Sequence, residues 1–167
     1  MKSHARRSLA AVCTLSLVGL PLAVQAADSI VRRSLSDCPI ASSVAVPASA
    51  RIVFVSGTLA DVVKPDAPEG SIERLGDTET QSASVLGKIA QELAASGLTM
   101  ADVVKMNVFM VGDPARGGTM DFAGLMKAYS QHFGAASQGS LPARTTVQVA
   151  GLPLPGALVE IEVVAAR

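Results

Sequence analysis

Leu141-Pro-Ala-Arg-Thr-Thr-Val-Gln-Val-Ala150, then a Gly/Pro turn, then Leu158-Val-Glu-Ile-Glu-Val-Val164 is the stretch that decides the fold. Read with a period of two, it gives two strands, each with an apolar side and a polar or charged side. On the first, Arg144, Thr146 and Gln148 point one way and Thr145, Val147 and Val149 point the other. On the second, Glu160 and Glu162 share one side, opposite Val159, Ile161 and Val163. A guanidinium and a carboxylate on rigid strands are suited to holding a small carboxylated molecule with a water beside it.

Working outward, Arg51-Ile-Val-Phe-Val55 reads as a strand ending at Ser56-Gly57, where glycine supplies a turn or a close backbone approach. Val62 to Gly70 reads as a proline-bearing loop, and Ser71 to Leu75 as a weaker strand. A helix is expected near 78–96. Thr78 or Thr80 caps its start, Val85, Leu86, Ile89 and Leu93 recur at helical spacing, and Gly97 ends it. Val103 to Val111 is a strand, Gly112 to Gly118 a loop, and a second helix is expected near 119–133. Phe122, Leu125, Met126, Tyr129 and Phe133 line one face of that helix and read as core.

The order β-β-α-β-α-β-β implies an α+β domain, with both helices packed on one face of a single mixed sheet. The other face then carries Arg144, Thr146, Gln148, Glu160 and Glu162. Such a half-apolar, charged face seeks a ligand or a partner subunit.

Composition bounds the function. Residues 1–26 have the form of a signal peptide: Lys2, Arg6 and Arg7, an apolar run from Leu9 to Leu22, and Val-Gln-Ala before the expected cut. The run is too short for a comfortable bilayer span, so no membrane attachment is expected after cleavage, and the mature chain is expected to be periplasmic or secreted. Losing those three charges from a formal net charge of zero leaves about −3 on the mature chain, which argues against nucleic acid as a partner.

Cys38 is then the only cysteine, which excludes an intrachain disulfide. After cleavage only His132 survives of the two histidines, which excludes a His-rich zinc site and leaves little for a Ser-His-Asp triad. No phosphate-cradling glycine loop is present. Residues 27–44 are polar and aperiodic and read as an N-terminal arm, leaving 45–167 as the domain.

Several stretches together resemble the RidA (YjgF/YER057c/UK114) family. They are Ser56-Gly57 after the Val-Phe-Val strand, Gln81, Asp102-Val-Val-Lys-Met-Asn-Val-Phe-Met110, Tyr129 with Phe133, Pro142-Ala-Arg144 and Val159-Glu-Ile-Glu-Val163. The similarity runs from about residue 43 to the C-terminus. Pro-Ala-Arg followed some fifteen residues later by Glu-x-Glu is specific only in combination.

The resemblance implies a chorismate-mutase-like fold and a homotrimer with ligand clefts between adjacent subunits. It also implies hydrolysis of reactive 2-enamino and 2-imino acids to 2-keto acids and ammonia without metal or organic cofactor. Arg144 matches the arginine that grips the substrate carboxylate, and Glu160 matches the acid beside the attacking water. Ser56, Gly57 and Thr146 fall in the substrate-binding set. Glu162 is the more structural of the two acids.

The chain departs from the family pattern in three places. Ala41 to Pro47 carries no cleft tyrosine, Met126 stands where asparagine is common, and Thr146 where cysteine is common. The alternative reading is a non-catalytic trimer that binds small carboxylates in the same clefts. The negative charge and single histidine speak against a ribonuclease-like activity.

Overall fold

The computed structural model describes residues 29–34, 38–134 and 140–167, so the expected signal peptide and its cleavage point lie outside the described residues. The strands are β1 (Val31–Ser34), β2 (Ala41–Ala45), β3 (Ile52–Leu59), β4 (Val103–Val111), β5 (Ala143–Val149) and β6 (Val159–Ala166). The helices are α1 (Ile72–Leu75), α2 (Thr78–Ala95) and α3 (Phe122–Phe133). One sheet takes the order β1-β2-β5-β4-β6-β3. β4 runs parallel to β5 and antiparallel to β6, and β3 closes the far edge antiparallel to β6. This is the expected α+β arrangement of a mixed sheet with both long helices on one face.

The core lies between the sheet and those helices. Val85, Leu86, Ile89 and Leu93 of α2 meet Met106, Val108 and Met110 of β4 and Val159, Ile161 and Val163 of β6. Leu125, Ala128, Tyr129 and Phe133 of α3 complete it. Each fully buried aliphatic side chain contributes about 1.5–3 kcal/mol relative to exposure.

The start of α2 differs by one residue from expectation. Asp77 caps it, accepting from the Thr80 N–H at 2.9 Å, while Thr78 is buried. The Thr80 backbone bond holds the Asp77 carboxyl below its usual range. Gly97 ends α2 with φ of 71°, and the N–H groups of Gly97 and Leu98 return to the carbonyls of Ala94 and Leu93. That double closure requires a left-handed residue, and it buries Leu98 beside Leu93.

Two expectations fail locally. Ser71 to Leu75 is not a strand: Ile72–Leu75 forms a single helical turn that stops at Gly76, whose φ is 87°. The supposed arm contains β1 and β2, a hairpin that enters the sheet beside β5 through the Ala41–Ala143 pair. Tertiary contacts order this polar segment. The Arg32 guanidinium donates to the carbonyls of Val103 (2.7 Å), Leu141 (2.9 Å) and Ala101 (3.0 Å). The Tyr129 hydroxyl donates to the Pro39 carbonyl at 2.8 Å, and Ile40 and Val44 pack on the core. Among the described residues, no helix is long and apolar enough to cross a membrane.

Candidate functional site

Cross-strand partners share a face, so the register fixes where each candidate points. Arg144, Thr146 and Gln148 pair with Met106, Val108 and Met110, all of them core residues. Glu160 and Glu162 pair with Phe109 and Asn107, on the other side of β4. The expectation that arginine and glutamates share one face is therefore wrong: Arg144 lies on the helix side of the sheet and Glu160 on the open side. β5 has turned its valines outward instead, and Val147 is 42% exposed. Arg144 and Glu160 are two strands and three residues apart, roughly 14 Å between Cα atoms at standard sheet spacings. One small ligand cannot touch both within one chain.

The Arg144 half of the site is built by α3. The guanidinium carbon lies 4.2 Å from the Tyr129 ring centroid and 5.6 Å from that of Phe122. Nη1 also donates to Met126 Sδ at 3.3 Å. Phe122, Met126 and Tyr129 are spaced at i, i+4 and i+7, so they share one helix face. The sequence reading took that stripe as core, yet Phe122 is 42% exposed and walls the arginine instead. A basic residue on a facing strand was the available signal.

Gln148 holds the approach to α3 in place, accepting from Met120 N–H and donating to the Gly118 carbonyl, each at 2.9 Å. Among the described residues no carboxylate pairs with Arg144. Burial pushes the Arg144 pKa down and pushes the Tyr129 hydroxyl up to about 12. The guanidinium remains charged at any working pH, and it is desolvated and poorly satisfied. On the same side of β5, Thr146 adds a buried hydroxyl without a hydrogen-bond partner among the described residues. An anion reaching this place meets unspent donors.

The Glu160 half is built by a bulge. β3 slips register between Val55 and Thr58, leaving Ser56 and Gly57 outside the regular ladder beside β6. Gly57 packs so tightly on Glu160 that a Cβ there would collide with Oε1, so glycine lets the carboxylate keep its present place. No hydrogen bond or ion pair to Glu160 is formed among the described residues. Glu162 differs, accepting from Asn107 Nδ2 at 2.8 Å across the strands. Of the two acids, Glu160 is the unengaged one.

A cavity of about 220 Å³ opens beside this half, lined by Phe54, Ser56, Lys105, Asn107 and Glu162 among others. Phe54 itself is 77% exposed. Elsewhere, His132 is half-buried on α3, where desolvation lowers its pKa, and Cys38 is exposed. Among the described residues there is no group of three or more His, Cys, Asp or Glu that could hold a metal ion.

Comparison with known proteins gives this geometry a context. The model of the Endoribonuclease L-PSP family matches residues 38–167. Protein DfrA of Myxococcus xanthus is 33% identical over 76% of this chain and 84% of its own length. The Escherichia coli K12 protein named "Putative reactive intermediate deaminase TdcF" is 34% identical over 70% of this chain and 79% of its own. The crystal structure of E. coli TdcF with bound serine superposes with a TM-score of 0.53 and 33% identity, covering 73% of this chain and 84% of that one. The E. coli YjgF structure gives 0.52 and 31%, covering 70% and 80%.

Proposed function

We propose that this chain, which belongs to the Endoribonuclease L-PSP (YjgF/RidA) family, is a hydrolase that deaminates reactive 2-enamino and 2-imino acids to 2-keto acids and ammonia. It works as a homotrimer whose clefts lie between protomers. One protomer supplies Arg144 and Thr146, and its neighbour supplies Ser56, Gly57 and Glu160. The reading rests above all on one observation: a desolvated Arg144 guanidinium, stacked on Tyr129, with no acidic partner among the described residues. The opposite facing of Arg144 and Glu160 supports completion by a second copy, and so does the exposed apolar side chain of Phe54 on the open face. A relative named for deamination of reactive intermediates, and its structure with bound serine, support an amino-acid-like carboxylate as ligand.

The residue types fit the chemistry. Two parallel N–H bonds from Arg144 fix the carboxylate and so orient the imine carbon. Water attacks that carbon while Glu160 accepts its proton, and the C=N electron pair moves to nitrogen. Glu160 returns that proton to nitrogen, giving a carbinolamine. The hydroxyl proton then passes through Glu160 to the same nitrogen as the C–N bond breaks and the C=O bond forms, and ammonia leaves. An enamine first takes a proton at its β-carbon. Such acid–base assistance is worth on the order of 100- to 10,000-fold, enough for a substrate that already hydrolyses in water. No step calls for a metal or organic cofactor. The basic start and apolar run of residues 1–26 support export of the mature protein to the periplasm or outside the cell, and fractionation of expressing cells tests this.

The test generates 2-iminobutanoate in situ, adds the mature protein and follows ammonia release. Acceleration that disappears in both Arg144→Ala and Glu160→Ala supports the enzyme. Arg144-dependent binding of 2-oxobutanoate without acceleration would make the chain a non-catalytic carboxylate binder. Neither binding nor acceleration would overturn both readings.

A further inference from the structure

The side chain that occupies Arg144 is chemically convertible. Met126 Sδ accepts from Arg144 Nη1 at 3.3 Å, and Met126 is half-buried beside the guanidinium. A thioether is a weak acceptor, so an arriving carboxylate displaces it at little cost. Met106 and Met110 are sealed in the core, whereas Met126 lines a place that substrate must reach. Its sulfur keeps a second lone pair beyond the one facing Arg144.

We propose that Met126 is an oxidation switch on the carboxylate subsite: hydrogen peroxide converts its thioether to the sulfoxide, whose oxygen takes the Arg144 donors and weakens anion binding. The inference rests on the reading of Arg144 as the carboxylate grip. In the step, the sulfur lone pair attacks one peroxide oxygen, the S–O bond forms and the O–O bond breaks. Sulfur is oxidised by two electrons, and the departing oxygen leaves as hydroxide and takes the proton left behind to become water. The new S–O group is polar and accepts strongly where the thioether accepted weakly. Rotation of the methylsulfinyl end suffices to bring its oxygen onto Nη1. A carboxylate must then compete for donors that a neutral acceptor already holds, which corresponds to about tenfold weaker binding.

The test uses the mature protein carrying Cys38→Ala, which removes the exposed thiol as a second target. Calorimetric affinity for 2-oxobutanoate is measured before and after peroxide, with peptide masses reporting oxygen addition at Met126. Each protein is compared with its own untreated form, so any effect of Met126→Leu on starting affinity drops out. The expected result is a roughly tenfold loss on oxidation, reversal by methionine sulfoxide reductase, and no peroxide response in Met126→Leu. Oxidised Met126 with unchanged affinity, an equal loss in Met126→Leu, or a Met126 that peroxide does not reach would each overturn the proposal.

If the untreated protein binds no 2-oxobutanoate, the carboxylate reading fails and a second readout still decides the switch. Tyr129 is the only tyrosine in a chain without tryptophan, and it stacks on the guanidinium. Its fluorescence is expected to change on oxidation with Met126 present and to stay constant in Met126→Leu. A constant signal in both overturns the switch.

Discussion

β5 and β6 lie in one sheet with only β4 between them, yet they distribute polarity in opposite ways. β6 follows the ordinary rule: Val159, Ile161 and Val163 face the helices, and Glu160 and Glu162 face out. β5 inverts it, turning Arg144, Thr146 and Gln148 toward the helices and Val147 toward solvent. The inversion carries two consequences. Polar groups on the covered side need partners: Gln148 has them in the loop before α3, whereas Arg144 meets Tyr129, Phe122 and a thioether but no carboxylate among the described residues. Apolar groups on the open side need a cover, and the proposed trimer assigns that role to a second copy of the chain.

Mutations at the two faces separate these demands. Leu86→Ala, in the fully buried stripe of α2, is expected to cost about 2–5 kcal/mol in denaturant unfolding. Phe54→Ser on the open face makes the sharper contrast. Its protomer is expected to stay within about 0.5 kcal/mol of the parent, with the proposed trimer lost in sedimentation. If Phe54→Ser unfolds the protomer as Leu86→Ala does, the two faces are not functionally distinct.

Gly57→Ala pushes the Glu160 carboxylate aside and is expected to lower deaminase activity about 100-fold, with far smaller effect on folding because a flexible carboxylate can move. Arg32→Ala removes three carbonyl contacts from a partly exposed guanidinium. It is expected to cost about 1–3 kcal/mol, with hydrogen exchange rising first in β1 and β2.

The smallest effect concerns His132. Burial depresses its folded pKa below the ordinary histidine value of about 6.5, so the unfolded chain takes up the proton first as pH falls. The neutral side chain's contribution to stability is therefore intact above about pH 6.5 and is lost as pH drops toward the folded pKa. His132→Gln should flatten the stability profile between about pH 7 and 5. A profile that stays as steep would place the titration elsewhere.

Much of this arrangement was legible in the residues. Period-two alternation gave β5 and β6, helical spacing gave α2 and α3, and Arg144 with Glu160 stood out as charges on rigid strands. Alternation gives two sides, however, and not which side is buried. Assigning the valine side of β5 to the core follows hydrophobicity, and it fails because α3 builds a pocket for Arg144 on the helix side, which leaves the β5 valines on the mixed open face. The β1–β2 hairpin was illegible for a different reason, since its order comes from Arg32 and Tyr129 contacts distant in sequence. The one-residue shift from Thr78 to Asp77 as helix cap reflects two adjacent cap-forming residues, of which Thr78 is drawn into the core.

The division of one site between two protomers is tested most directly by mixing inactive partners. Arg144→Ala trimers keep Glu160, Glu160→Ala trimers keep Arg144, and each alone should be inactive. After co-refolding equal amounts, roughly a quarter of the clefts should unite an intact Arg144 with an intact neighbouring Glu160, and that share of wild-type ammonia release should return. If the mixture, shown to have exchanged subunits, stays as inactive as its components, arginine and glutamate do not act across the interface.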